Sequence, residues 1–414
     1  MHRRRSAAIG TFALTLFAPL MMAGGAASAG PTVASADAAR TPTLPAGATA
    51  GPTRITSAMQ AEIDRVVESG RTPAARTAMR SSATLADTQI RCADFEGQRY
   101  CLNSGWTTQS ESAVRREAAG DLTALAARRS GSRETTGDLT AADALRQRAA
   151  MSPRKRAAAE RAELTDAARS VGKVWLLRNQ IQGEPLPAGF VERHPEIGVD
   201  TSSLAARSAA DTDVDTMTTA AKPAKDYPQK DQILNDSRIK EQNRTYWCGV
   251  ASMQAIGWNW SGKRKNQKYW AGQLGTTTSG TAISEMVRVT NAQTGYDTKK
   301  YAGKYIVLDI GDWSYRQWWK LQMRHITDYN APVILHPILL KQFYPYLDDD
   351  ASGHFQVGRG YDKNGAKSNK LKYFEPWNQQ RFDPSEPFIS RTQTRGAYKS
   401  YRANQAHSMH NIGV

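Results

Sequence analysis

Three regimes of hydrophobic patterning run along this 414-residue chain. Behind Met1-His2-Arg3-Arg4-Arg5, a largely apolar stretch over residues 7–22 leads to the small residues Ala27-Ser28-Ala29. A basic start, a short apolar run and a small-residue stop read as a cleavable secretory signal, residues 1–29. In the second regime, residues 56–69 carry Met59, Ile63 and Val66 or Val67 on the period of an α-helix, behind a Thr-Ser start. Residues 110–179 are dominated by Ala, Arg and Glu, with Leu122, Leu125, Leu139, Leu145, Leu164, Val171 and Val174 thinly spaced. Helices with so narrow an apolar stripe need a partner surface. The third regime opens near Tyr227 and holds Trp247, Trp258, Trp260, Trp270, Trp313, Trp318, Trp319 and Trp377, so the larger core is expected there.

Within that third regime, helices are expected from Cys248 onward, over 279–293 and over 315–323. Strands are expected over 332–340, 354–361 and 371–374, which makes the fold class α+β, helices first and sheet second. Alternation along 354–361 puts His354, Gln356, Gly358 and Gly360 on one face and Phe355, Val357 and Tyr361 on the other. The expected organisation is a signal (1–29), a disordered leader rich in Ala, Thr, Pro and Gly (30–55), and a mostly helical N-terminal region (56–200). A Ser/Thr/Ala/Asp linker (201–226) and a C-terminal domain (227–414) complete it. The N-terminal region reads as a propeptide or a targeting module.

Secretion changes how the three cysteines are read, because close thiol pairs become bridges in an oxidising compartment. Cys92 and Cys101 flank a polar loop suited to a small disulfide-closed hairpin, which leaves Cys248 over. A leftover thiol in a secreted chain is a candidate nucleophile; a buried inert cysteine and an intermolecular bridge are the other readings. Cys248 stands at the mouth of an apolar helix, whose unsatisfied N–H groups favour a thiolate. Gln242 lies one short loop upstream, where its side-chain amide can join the Cys248 backbone N–H in holding an oxyanion.

His354 supplies the expected base. If Asn364-Gly365 closes a two-residue hairpin turn, Glu375 falls directly across from His354 and can orient its imidazole; the polar residues 366–370 could instead lengthen the loop and shift the pairing. His325 and His336 read as structural, and His407 and His410 as part of a mobile tail. The formal charge of +16 is spread over both halves without a nucleic-acid motif, so no nucleic-acid partner is expected. A solvated basic surface and electrostatic association with an anionic cell envelope are the two readings of this charge.

The elements Gln242, Trp247-Cys248-Gly249, Thr276-Thr277-Thr278-Ser279-Gly280-Thr281, Gly353-His354 with Gly360-Tyr361-Asp362, and Glu375-Pro376-Trp377 resemble the C39-like branch of papain-type cysteine peptidases. The resemblance covers roughly residues 230–385. Val250 stands where a proline is common, and Glu375 replaces the usual aspartate. It implies a papain-like domain, a Cys248–His354–Glu375 triad with Gln242 in the oxyanion site, no metal or organic cofactor, and a peptide or protein substrate; the signal makes the protein a secreted one, and a monomer is expected. A non-catalytic peptide- or wall-binding protein, and an amidase or transpeptidase, are the alternatives.

Overall fold

The computed structural model describes residues 52–71, 82–128, 136–197, 222–295, 303–344, 347, 349–363, 369–377, 391–393 and 410–414. The signal 1–29, most of the 30–55 leader, most of the 201–226 linker and His407 lie outside the described residues.

Among the described residues, ten strands form one mixed sheet: β1 (Cys92–Phe95), β2 (Gln98–Cys101), β3 (Gly105–Thr107), β4 (Lys230–Gln232), β5 (Val307–Asp309), β6 (Val333–Leu335), β7 (Gln356–Asp362), β8 (Lys370–Phe374), β9 (Arg391–Gln393) and β10 (Asn411–Gly413). Their spatial order is β1-β2-β3-β5-β10-β6-β7-β8-β9, with β4 pairing along the part of β7 that β6 leaves open. All pairings are antiparallel except β3 with β5, which run parallel through Trp106 and Leu308. The sheet therefore takes β1–β3 from before the linker and β4–β10 from after it.

The two faces of the sheet follow from the period of two in its strands. Leu308, Val333, Leu335 and Ile412 pack in one cluster with Trp318, Leu321 and Met323 of the Tyr315–Thr327 helix. Their neighbours Val307, Ile334, Val357 and Phe374 pack in a second cluster with Val250 and Met253 of the Cys248–Trp260 helix and Met286 and Val289 of the Ile283–Thr294 helix. Helices thus cover both faces, and the α+β class holds. The Cys248–Trp260 helix is buried on every side from Cys248 to Gly257. Gly257 is required there, because a Cβ would lie 2.3 Å from the Trp270 indole.

The first cluster also gathers the N-terminal region. The expected amphipathic helix is Ser57–Ser69, with the Thr56 hydroxyl accepting from the Met59 N–H and Met59, Ile63, Val66 and Val67 buried. Those side chains, with Leu164, Val171 and Val174, find their partner surface beside Trp106 and Leu308. Cys92 and Cys101 face each other across β1 and β2 and are joined by a disulfide.

Several local expectations are corrected. An Asn364-Gly365 turn would pair Val357 with Lys372, but Val357 pairs with Phe374, and Asp362 with Lys370. Asn364 and Gly365 lie outside the described residues; the pairing of Asp362 with Lys370 moves the register from the one that a two-residue turn there would set. A bulge between Gly358 and Gly360 then breaks the alternation, and Tyr361 leaves the face of Phe355 and Val357 to pack edge-on against Trp319. The helix expected over 279–293 begins at Ile283, because residues 277–280 form a turn closed by paired Thr277 and Gly280 backbone bonds. The residues read as a mobile tail include β10, which fills the gap between β5 and β6, while His410 Nε2 lies 2.9 Å from the Glu117 carboxylate.

Candidate active site

The Cys248–Trp260 helix presents its first residue to β7, and the Ser252 hydroxyl donates to the Phe355 carbonyl at 3.2 Å. The Cys248 sulfur accepts hydrogen bonds from the backbone N–H groups of Phe355 and Gly249, so it lies against the residue next to His354. Cys248 is the free cysteine among the described residues and is wholly buried.

His354 lies just ahead of β7, and Glu375 just beyond β8. His354 Nε2 and Glu375 Oε1 are 2.5 Å apart, while Gln356 donates to Glu375 Oε2 at 2.7 Å and the Trp377 N–H to Oε1 at 2.9 Å. The contact expected between His354 and Glu375 is present even though the register that suggested it is wrong. Glu375, one residue past the strand, turns back and reaches the imidazole with its longer side chain. Burial pushes the Glu375 carboxyl up, but the His354 charge and the three hydrogen bonds outweigh it and hold the group below the usual range. With Nε2 taken, Nδ1 is the ring nitrogen left for other chemistry, and it has no hydrogen-bond partner among the described residues.

Gln242 comes from the loop before the helix. Its Nε2 donates to the carbonyls of Arg244 and Thr245, both at 2.9 Å, which fixes the amide orientation. The same Nε2 lies 3.2 Å from the Thr136 carbonyl oxygen, and the Cys248 backbone N–H donates to that oxygen at 3.3 Å. The two donors named from the sequence thus converge on one oxygen, and it belongs to a peptide group.

The thiol does not behave as a helix-start cysteine was expected to. Burial pushes the Cys248 thiol well above its usual range, the Asp138 carboxylate adds to this, and the Phe355 and Gly249 N–H groups compensate only in part.

Residues 226–406 match the model of the Peptidase_C39 like family. The C-terminal region is a C39-like peptidase domain. Its helix-borne cysteine set against a histidine just ahead of a sheet strand fits the papain-like form of the α+β class. Comparison of the chain with curated proteins and with solved structures gives no match. The C39-like domain brings together all four residues singled out in the sequence.

His325 is buried in the Tyr315–Thr327 helix between the charges of Lys173 and Arg324. His336 stacks on Phe355 and meets Asn411 Oδ1 at 2.9 Å and the Asp138 carboxylate at 3.3 Å. Among the described residues no group of three or more His, Cys, Asp and Glu side chains is arranged to hold a metal. A cavity of about 250 Å³ lined by Tyr100, Glu163, Arg288 and Lys304 includes none of the four site residues. The sequence reading missed Gln356 and the whole of Thr136–Leu139. The first was legible as a polar side chain on the His354 face; the second carries no local signal, since its partners lie far along the chain.

Proposed function

We propose that this protein is a secreted cysteine hydrolase that cleaves peptide bonds. The supporting observation is the convergence of Gln242 Nε2 and the Cys248 N–H on a single peptide oxygen. Two donors aimed at one point stabilise the charge that a carbonyl oxygen acquires when its carbon is attacked. Cys248 gives its proton to His354 Nδ1, and its sulfur bonds to the acyl carbon. The tetrahedral oxyanion collapses to a thioester as His354 returns the proton to the departing amine, and water then releases the acid by the same route. Glu375 holds the imidazole and stabilises its cationic form. The substrate is a peptide or protein, no nucleic acid is involved, the enzyme acts as a monomer, and the net charge of +16 favours retention near an anionic envelope.

The deciding experiment combines hydrolysis of a peptide library with labelling by E-64. Turnover that disappears in Cys248→Ala, with label found on Cys248 alone, is the expected result. Unchanged turnover in Cys248→Ala would remove the mechanism.

A further inference from the structure

The oxygen held by Gln242 and Cys248 belongs to the chain itself, and the stretch that carries it is fixed on both sides. Ahead of His354, the Thr136 N–H donates to Ser352 Oγ at 3.1 Å and the Thr136 hydroxyl to the Gly353 carbonyl at 2.7 Å. On the opposite side, the Thr281 N–H donates to the Gly137 carbonyl at 3.0 Å, and the Leu139 N–H to the Thr281 carbonyl at 2.7 Å. Asp138 reaches His336. Thr136, Asp138 and Leu139 are buried. Gly137 has a φ of +108°, and a Cβ there would lie 2.2 Å from the Tyr246 carbonyl carbon, so no other residue fits without displacing the segment.

We propose that Thr136–Leu139 is a built-in occupant of the peptide-binding slot, a segment that shuts the Cys248 site until it leaves. The proposal rests on the reading of Gln242 and Cys248 as the oxyanion donors. A substrate carbonyl cannot take those donors while Thr136 holds them. Attachment to the same chain gives the segment an effective concentration of roughly millimolar, above that of most free peptides. The seated segment also disarms the nucleophile: with it in place the sulfur is wholly buried and feels the Asp138 charge, and both keep the thiol protonated. The Thr136–Gly137 bond therefore lies at the reactive centre without being cut. The slot it marks takes a chain that bonds through its backbone to Thr281 on one side and to the Ser352 hydroxyl on the other.

The test compares full-length wild type with Gly137→Ala, using iodoacetamide and mass spectrometry to follow alkylation of Cys248. An alanine forced to positive φ against the Tyr246 backbone should expel the segment and speed alkylation about tenfold or more. A synthetic peptide of residues 134–141 should slow it again, which separates release of the segment from general unfolding. Thr136→Val, which loses the hydroxyl contacts to the Gly353 carbonyl and Ser352 Oγ but keeps the backbone bonds, should give a smaller acceleration. Three results would overturn the proposal: wild-type Cys248 alkylating as fast as free cysteine, a folded Gly137→Ala alkylating at the wild-type rate, or a fragment starting at Gly137 that vanishes in Cys248→Ala. Faster alkylation without peptide hydrolysis would sustain the occupant and defeat the hydrolase. Equal hydrolysis and equal alkylation in both proteins would do the reverse.

Discussion

Gln242 donates its backbone N–H to the Pro376 carbonyl at 2.8 Å. The loop that carries Gln242, the proposed oxyanion donor, is thereby tied to the residue that follows Glu375, the proposed partner of the base. Linkage through backbone atoms survives side-chain substitution, so the roles of the two residues can be separated by mutation.

Cys248→Ala and His354→Ala should each lower kcat by roughly 10⁴-fold or more, as loss of a nucleophile or base does. Glu375→Gln keeps the shape and can still meet His354 Nε2, so a measurable fraction of turnover should remain. Steady-state kinetics on one peptide substrate will show the order. Full activity in His354→Ala would shift the base to another side chain, His336 being the nearest rival.

Gln242→Ala removes one of two oxyanion donors and should cost about 10²- to 10³-fold in kcat with a smaller change in KM. It also frees the carbonyls of Arg244 and Thr245. Gln242→Glu, similar in size but without the N–H groups, should lose kcat to a like extent. A glutamate variant with wild-type kcat would show that the amide serves only the loop.

The disulfide closes a short hairpin at the outer strands of the sheet. Replacing Cys92 and Cys101 together by alanine should reduce stability by about 2–4 kcal/mol, read from urea unfolding, mainly by freeing the unfolded chain. Because both half-cystines belong to a small cluster with Leu85, Ile90 and Leu145, the loss should begin in the N-terminal region.

His194 lies buried between Glu196, 2.8 Å from Nδ1, and Glu96, 2.7 Å from Nε2. Burial alone would lower its pKa, but the hydrogen bonds and charges of the two carboxylates raise it from 6.5 to about 9. A folded-state pKa above the unfolded one adds stability that is fully present below about 6.5 and is lost as the pH rises through about 9. The melting temperature should therefore fall across that window. His194→Gln should melt lower at neutral pH and show a flatter profile over the same range.

The site was legible where chemistry is carried by short motifs. Cys248 at a helix start, Gln242 one loop earlier, His354 before a strand and Glu375 after the next were all identifiable by residue type. Their pairing was not secured by the turn assigned to Asn364-Gly365, because a bulge and a longer connection move a register without leaving a strong local mark. The short strand Val307–Asp309 and the insertion of Asn411–Gly413 beside it were missed for a related reason. Three residues give too little periodicity to read, and a strand added from far along the chain is fixed by its partners. Thr136–Leu139 is the extreme case: Thr, Gly, Asp and Leu look like an ordinary turn, and only the positions of Gln242, Cys248 and Thr281 give them meaning.

The place of β10 in the sheet also sets an order of events. β5 and β6 are not paired with each other; each pairs with β10, and the Asn411 side chain of that strand holds His336. A chain that emerges from its amino end exposes every residue of the triad before Asn411 appears. Until then the sheet has a slot in its middle, and the Tyr315–Thr327 helix lacks Ile412 and Val414 beneath it. Pairing so distant in sequence is slow to form, and so the last strand to arrive is the one that lets the centre of the molecule set.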